Sequence, residues 1–363
     1  MQGFNVMALN ANYELIGLVR LTNLQWTRKY YESGTFSLQI PLEQYNSEVA
    51  YIYTKDRPEM GVVTQTNCVN KKGYRNVQLS GYFLENELNN MIVFPKGITN
   101  IVNGPDFASV EGFAEDVAYT FFNAFKQMSF VQEQDTVNVG LDINSVASIA
   151  RGKKSIHTRN GEKLGAKIYD ILKPSEMSYR VKYDFEANKK VFEVWQGLDR
   201  TEEQTENNPV VFSTRYGNIK NPNILIDNTD YKNGYIVVGE YTVNDVKNTY
   251  VRAVQKEPAE VNSYIYVKAS SNKADYATDA EYYAAIESEG REASQKFASI
   301  INVEFDAMEG SYEYMKDFDI GDLCNLEIPE INISAKARLI NCYEVYKGSS
   351  NSLSLEFGTP ILK

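Results

Sequence analysis

Between residues 35 and 40, apolar Phe36, Leu38 and Ile40 alternate with polar Thr35, Ser37 and Gln39, and Pro41 ends the run. A period of two marks a strand that buries one face. Apolar strand segments return at 60–69 and 74–84, joined by turn residues at 70–73, so residues 1–94 read as a small antiparallel barrel or sandwich. After Pro95 the period changes. Phe113, Val117, Phe121, Phe125 and Met128 recur at spacings of four and three, which predicts a helix over 109–128 with Asp106 or Ser109 as its N-cap. Leu164, Ile168 and Ile171 predict a shorter helix over 161–172, stopped by Pro174. A hairpin follows at 179–197, and the polar run 201–209 reads as a linker closing an α+β insert over 95–208.

Strands resume at 209–213, 235–241, 249–255 and 263–269. A third helix is expected over 279–301. It opens on Thr278 and Glu281 in capping-box spacing, and Tyr282, Ile286, Ala293, Phe297 and Ile301 share a face. A last hairpin pairs 337–345 with 352–358. The expected organisation is therefore mainly β with α+β parts. An N-terminal barrel-like domain occupies 1–94, completed by strands from about 209–241. The insert at 95–208 and a β-rich stretch at 209–310 follow, and a second barrel-like domain covers 311–363.

Charge narrows the function. Thirty-seven Lys and Arg against 48 Asp and Glu give a net charge of −11, with no basic surplus to displace counterions from a polyanion. No nucleic-acid specificity is expected. No apolar run approaches the ~20 residues that cross a bilayer, and the N-terminus carries no secretory pattern, so a soluble chain without membrane insertion is expected. Twenty-six Tyr and 17 Phe favour pleated, half-buried surfaces and interfaces.

The chemistry-bearing residues are few. One histidine, His157, sits in a polar basic stretch that reads as a loop, and a two-His metal site within one chain is excluded. Cys68, Cys324 and Cys342 lie in strand-like segments where a small buried apolar residue is the simplest role. Phosphate-cradling glycine loops and nucleophile elbows are absent; GEKLGAK at 161–167 reads as an ordinary helix entry. Ser270 and Lys273 match S-x-x-K without its companion motifs, and Asp317, Asp319 and Asp322 form an acidic turn too short for an EF-hand. Tyr30, Tyr31, Tyr51, Tyr53, Tyr282 and Tyr283 could stack on sugars, though such residues more often fill cores and interfaces. No catalytic residue, cofactor or metal ligand is assigned.

Segments along nearly the whole chain resemble a known family, most clearly at its two ends. In 21–41, Trp26, Arg28, Tyr31, Gly34, Phe36, Leu38 and Pro41 resemble the opening of phage tail-hub (baseplate hub) proteins, the structural N-terminal region of tail-associated lysins. Gly81, in a strand ending with a glycine and an aromatic, is similar to the family's next element. Near the C-terminus, the Phe318, Ile320, Gly321, Asp322 turn, the Arg338, Leu339, Ile340 strand and the closing Phe357, Gly358, Pro360 resemble its last barrel. The resemblance implies a homotrimeric ring at a tail tip, in a virion or tail-like particle assembled in a bacterial cytoplasm. There it would adapt a sixfold tube to a threefold tip, against a distal tail or tail-tube protein above and a spike, fibre or tape-measure protein near the tip. Many relatives carry a C-terminal wall-digesting domain; here the chain ends directly after the closing barrel, so hydrolysis is expected from another protein. A carbohydrate-binding host-recognition module and a cell-wall hydrolase with an unrecognised site are the alternative readings.

Overall fold

In the computed structural model, which describes residues 5–362 apart from 72–73, 99, 133–134, 257–260, 309 and 349, the period-two segment forms strand Thr35–Pro41 with Phe36, Leu38 and Ile40 buried. It pairs antiparallel with Asn23–Lys29 on one side and Tyr74–Phe83 on the other. From Tyr74–Phe83 the ladder continues through Met60–Lys71, Tyr51–Thr54 and Val6–Leu9 to an edge at Leu15–Leu18. From Asn23–Lys29 it runs through Ile333–Lys347, Ser350–Phe357 and Ile300–Ala307 to an edge at Ile219–Asp227. The expected turn at 70–73 falls partly outside the described residues: pairing reaches Lys71 and Tyr74, and residues 72–73 lie outside the described set.

Two compact units divide the chain. The first comprises Met1–Asn86, Met177–Leu225 and Ile301–Lys363, the second Glu87–Glu176 and Ile226–Ile300. The first therefore draws on all four expected stretches. Its sheet serves two apolar cores. Trp26, Phe36, Leu38, Val77 and Phe83 build one, and Tyr30, Phe212, Phe305, Phe318, Leu339 and Phe357 build the other. The two β regions expected from the chain ends are thus two cores under one continuous sheet. Strand Ile333–Lys347 supplies Ala335, Ala337, Leu339 and Cys342 to the second core, then brings Tyr346 against the first.

Several expectations change within this unit. Val211–Ser213 pairs parallel with Leu323–Ile328, and Phe212 meets the Phe305, Phe318 and Phe357 rings. This segment therefore belongs with the second core rather than completing the N-terminal one. The hairpin Ser178–Asp184/Lys189–Trp195 lies here and not in the insert, with Trp195 edge-on to Tyr30 at 5.0 Å. Residues 201–209 are no free linker. Glu202 N–H donates to Asn325, Gln204 brackets Thr201 and Asn207, and Val210 N–H donates to Arg200.

In the second unit, helix α1 covers Ala114–Phe125, shorter than expected, because Ser109–Phe113 pairs as a strand with Lys154–Thr158. Neither Asp106 nor Ser109 caps it. The Ala114 and Glu115 N–H groups donate to the Lys153 and Arg151 carbonyls, satisfying donors that a capping side chain would otherwise take. Helix α2, Leu164–Leu172, buries Leu164, Ile168 and Ile171 as their spacing requires. Arg159 is buried; its guanidinium donates to the Phe94, Pro95, Pro105 and Phe107 carbonyls and ties that loop down. Helix α3, Asp279–Gln295, carries the expected capping box and packs Tyr282 and Ile286 on strand Gly234–Val243. It stops short of 301 because 300–307 has a period-two pattern and forms a strand of the first unit's sheet, with Val303 and Phe305 buried. Among the described residues no helix is long and apolar enough to cross a membrane.

Gly81 faces the Val62 carbonyl so closely that a Cβ would overlap it, where a bulge shifts the Met60–Lys71/Tyr74–Phe83 register. Nothing lies within 4 Å of a Cβ on Gly17. Gly81→Ala should therefore cost about 2 kcal/mol or more, the scale of core overpacking, and Gly17→Ala less than about 0.5. Urea unfolding midpoints of the two variants check this.

Candidate functional site

Between the two cores of the first unit lies a cluster of buried charge. Arg28 follows Trp26 on strand Asn23–Lys29 with its side chain 1% exposed. Its Nε donates to Glu59 at 2.7 Å, and Nη1 donates to Asp319 at 2.5 Å and to the Tyr314 hydroxyl at 2.7 Å. Burial by itself would lower the Arg28 pKa, but the Asp319 and Glu59 carboxylates outweigh it and hold the guanidinium charged. Beside it Arg57 grips Glu344 through Nε, at 3.0 Å, and Nη2, and both guanidinium groups lie 5.7 Å from the Tyr314 ring centre. Burial raises the Glu344 and Tyr314 pKa values, which keeps the tyrosine a neutral acceptor for the Arg28 N–H. The residues come from chain positions near 28, 58, 317 and 344, so this arrangement pins the unit's two chain ends together.

The C-terminal motif closes on the same place. Phe318 is buried in the second core, and Gly321 has a φ of +86° against the Tyr30 ring, which leaves no room for a side chain. Asp322 accepts from the Leu198 N–H at 2.7 Å, Asp319 N–H at 2.9 Å and Arg200 Nε at 2.8 Å. Burial raises its pKa against the opposing pull of these donors. Arg338 donates to the Gly321 carbonyl and lies 6.0 Å from the Tyr30 ring centre. The acidic turn Asp317, Asp319, Asp322 is thus spent on backbone and arginine partners; Asp317 accepts from Glu313 N–H. Among the described residues no group of three or more His, Cys, Asp and Glu is placed to hold a metal ion.

The other motif residues lie around this joint. Trp26, Phe36 and Leu38 are in the first core. Gly34 passes under Phe83, whose ring a Cβ would meet at 2.5 Å, and its N–H donates to Glu85 at 3.2 Å. Phe357 is in the second core, and Gly358 N–H donates to the Arg338 carbonyl. Sequence reasoning missed Tyr30, Arg57, Glu59, Glu85, Tyr314 and Glu344 as members of the joint. Tyr30 and Asp319 sit within the quoted motifs; the others carry no local signal, because only long-range pairing brings them here.

In the second unit His157 is not a loop residue. It lies in strand Lys154–Thr158, buried, with Nδ1 2.8 Å from Glu292 and Nε2 2.9 Å from the Ser155 hydroxyl. Lys167, fully buried, donates to the other Glu292 oxygen at 2.6 Å. Burial would raise the Glu292 pKa, yet His157 and Lys167 hold it down at about 2, while burial lowers that of His157. Cys324 and Cys342 are buried as expected. Cys68 is exposed, because its strand runs past the core at residues 64–68. The tyrosines expected as sugar platforms mostly meet other rings. Tyr13 stacks between Tyr51 and Tyr183, Tyr53 packs on Phe185, Tyr283 stacks on Tyr250, and Tyr30 and Tyr282 are buried.

A family model described as Siphovirus ReqiPepy6 Gp37-like protein matches residues 5–359. The chain belongs to that family. No curated protein matches it. Among solved structures it is similar to the tail protein from Neisseria meningitidis MC58, at 12% identity and a TM-score of 0.56 over 99% of this chain and 97% of that one. It is also similar to the prophage MuSo2 43 kDa tail protein from Shewanella oneidensis, at 10% identity and 0.54 over 98% of each. This siphovirus-type tail protein has the fold of phage tail proteins over its whole length, and the residues that suggested the family from sequence lie at or around its buried joint.

Two measurements probe the joint. Arg28→Met leaves Glu59 and Asp319 without their common cation and should cost about 3–5 kcal/mol in denaturant unfolding. Glu85, buried with its Oε2 unpartnered, is pushed up to about 8 from an ordinary 4.5, chiefly by burial. Between those values the folded chain holds a proton that the unfolded chain has lost, so this group makes stability fall as pH rises from about 4.5 to 8. Glu85→Gln should flatten that part of the stability–pH curve and be at least as stable as the parent at pH 8.

Proposed function

We propose that this tail protein is the hub of a tail tip or baseplate, in a phage, a prophage or a phage-tail-like bacteriocin. Three copies form a closed ring that ends the tail tube. One observation carries the reading: a single unit holds two β cores under one continuous sheet, joined by buried charge. Three such chains present six cores, which suits an adaptor between a sixfold tube and a threefold tip. Large permanent interfaces need apolar surface. The edge strand Leu15–Leu18 offers some, with Leu15 63% and Leu18 72% exposed. In this reading the work is geometric and involves no covalent chemistry. The ring contacts a distal tail or tail-tube protein on one side and a spike, fibre or tape-measure protein on the other, without nucleic-acid specificity and without inserting in a membrane.

Light scattering of the purified chain across a wide concentration range is the test. Three chains of 41.2 kDa predict a mass of ~124 kDa. A single-chain mass that persists to high concentration and in the presence of assembled tail tubes overturns the ring.

A further inference from the structure

The second unit is built from two segments, Glu87–Glu176 and Ile226–Ile300, and between them the chain passes through the first unit. Within the second unit, noncovalent contacts alone hold the segments together. The apolar cluster beneath α3, with Tyr235, Val237, Tyr282 and Ile286, comes from the second segment only. Towards the first segment α3 turns polar side chains. The Ser288 hydroxyl and Arg291 Nη2, the latter at 3.0 Å, both donate to the Ile156 carbonyl, and Glu292 meets His157 and Lys167. Lys296, just beyond the helix, reaches Glu162 at 2.7 Å but is 59% exposed, where an ion pair contributes little. The buried part of the contact centres on His157, the one histidine of the chain.

Geometry fixes the imidazole's protons. A bare Nδ1 lone pair 2.8 Å from Glu292 would face a carboxylate, so Nδ1 carries the proton and Nε2 accepts from the Ser155 hydroxyl. His157, Lys167 and Glu292 together are then neutral, one ammonium matched by one carboxylate. A second proton on the ring leaves a surplus positive charge in a buried site, beside the Arg291 guanidinium. Burial, helped by Lys167 and Arg291, accordingly lowers the His157 pKa against the pull of Glu292, which stays ionised down to about 2. Other carboxylates nearby do not relieve the charge. Glu111 is opposite Ile156 on the neighbouring strand, hence on the other face, and Glu289 of α3 accepts from the Ser270 N–H. In α1, Glu115 pairs with Arg151 and Asp116 accepts from Ser148. Asp170 on α2 is pushed up to about 6, chiefly by burial, so acid favours its buried form and opposes the histidine.

We propose that His157 is an acid-sensitive clasp, whose protonation loosens α3 from strand Lys154–Thr158 and α2 while α3 keeps its place on its own sheet. A single chain carries the whole clasp, with or without a ring. Docked, the imidazole stays neutral; undocked, it protonates at its ordinary 6.5, so docking weakens by up to about tenfold per pH unit below that value. Hydrogen exchange of the full chain, corrected for intrinsic rates, tests this between about pH 7.5 and 5. The parent is compared with His157→Asn, which keeps an N–H for Glu292 and cannot be protonated. Asp170 is common to both chains, so their difference isolates His157. Over that range the parent should lose at least about fivefold more protection than the variant at residues 154–158 and 288–295, and no more than the variant at 234–243. Equal pH dependence of the two chains, or an excess loss that extends equally to 234–243, overturns the clasp. If the variant fails to fold, the parent's imidazole carries the test, because one histidine gives one ring resonance by NMR. A titration midpoint below 6.5 is expected, and a midpoint at or above 6.5 overturns the clasp.

Discussion

Arg28 places a permanent positive charge between two apolar cores, and the first unit is arranged so that this charge is never unpaired. An isolated guanidinium there would cost several kcal/mol in desolvation, so its partners must be in place whenever the unit is folded. Glu59 comes from the N-terminal segment, and Tyr314 and Asp319 come from the last fifty residues. Their convergence requires strand Ile333–Lys347 to lie against Asn23–Lys29 in one register, with Cys342 opposite Arg28 and Glu344 opposite Trp26. A shift by one residue would turn Glu344 away from Arg57 and Cys342 out of the core. Buried charge thus fixes register where apolar packing alone tolerates substitution.

The second unit uses a smaller version of the same device. Helix α2 contributes Lys167, strand Lys154–Thr158 contributes His157, and α3 contributes Glu292, which serves both. This explains why the C-terminal half of α3 is polar where it is buried. Glu289 and Glu292 face inward to hold a loop and a strand, whereas the apolar contact is confined to Tyr282, Ala285 and Ile286 near its start. The apolar stripe finds the inner face at Tyr282 and Ile286 but misplaces it in the C-terminal half, where Ala293 is half-buried and Glu289 and Glu292 are buried.

For a protein whose family is that of a phage tail component, this internal economy is consistent with what the surface has to do. The motif positions around Gly321, Asp322 and Arg338 are consumed by contacts within the unit and hold a rigid body together. Exposed apolar side chains remain at the periphery of the sheet, at the Leu15–Leu18 edge.

Local periodicity and punctuation determined most elements. Strands announced by alternation, the α2 stop before Pro174, the capping box of α3 and the two late hairpins depend on residues a few positions apart, and each formed near its expected place. The first-unit motifs were legible because glycines such as Gly34, Gly81 and Gly321 sit where backbone geometry or close approach excludes a side chain. Tertiary structure alone decided that 109–113 pairs as a strand instead of starting α1 and that His157 is buried. It alone brought Glu59, Tyr314 and Glu344 to the two arginines. Strand pairing and charge neutralisation act between residues up to three hundred positions apart, and no window along the chain contains both partners.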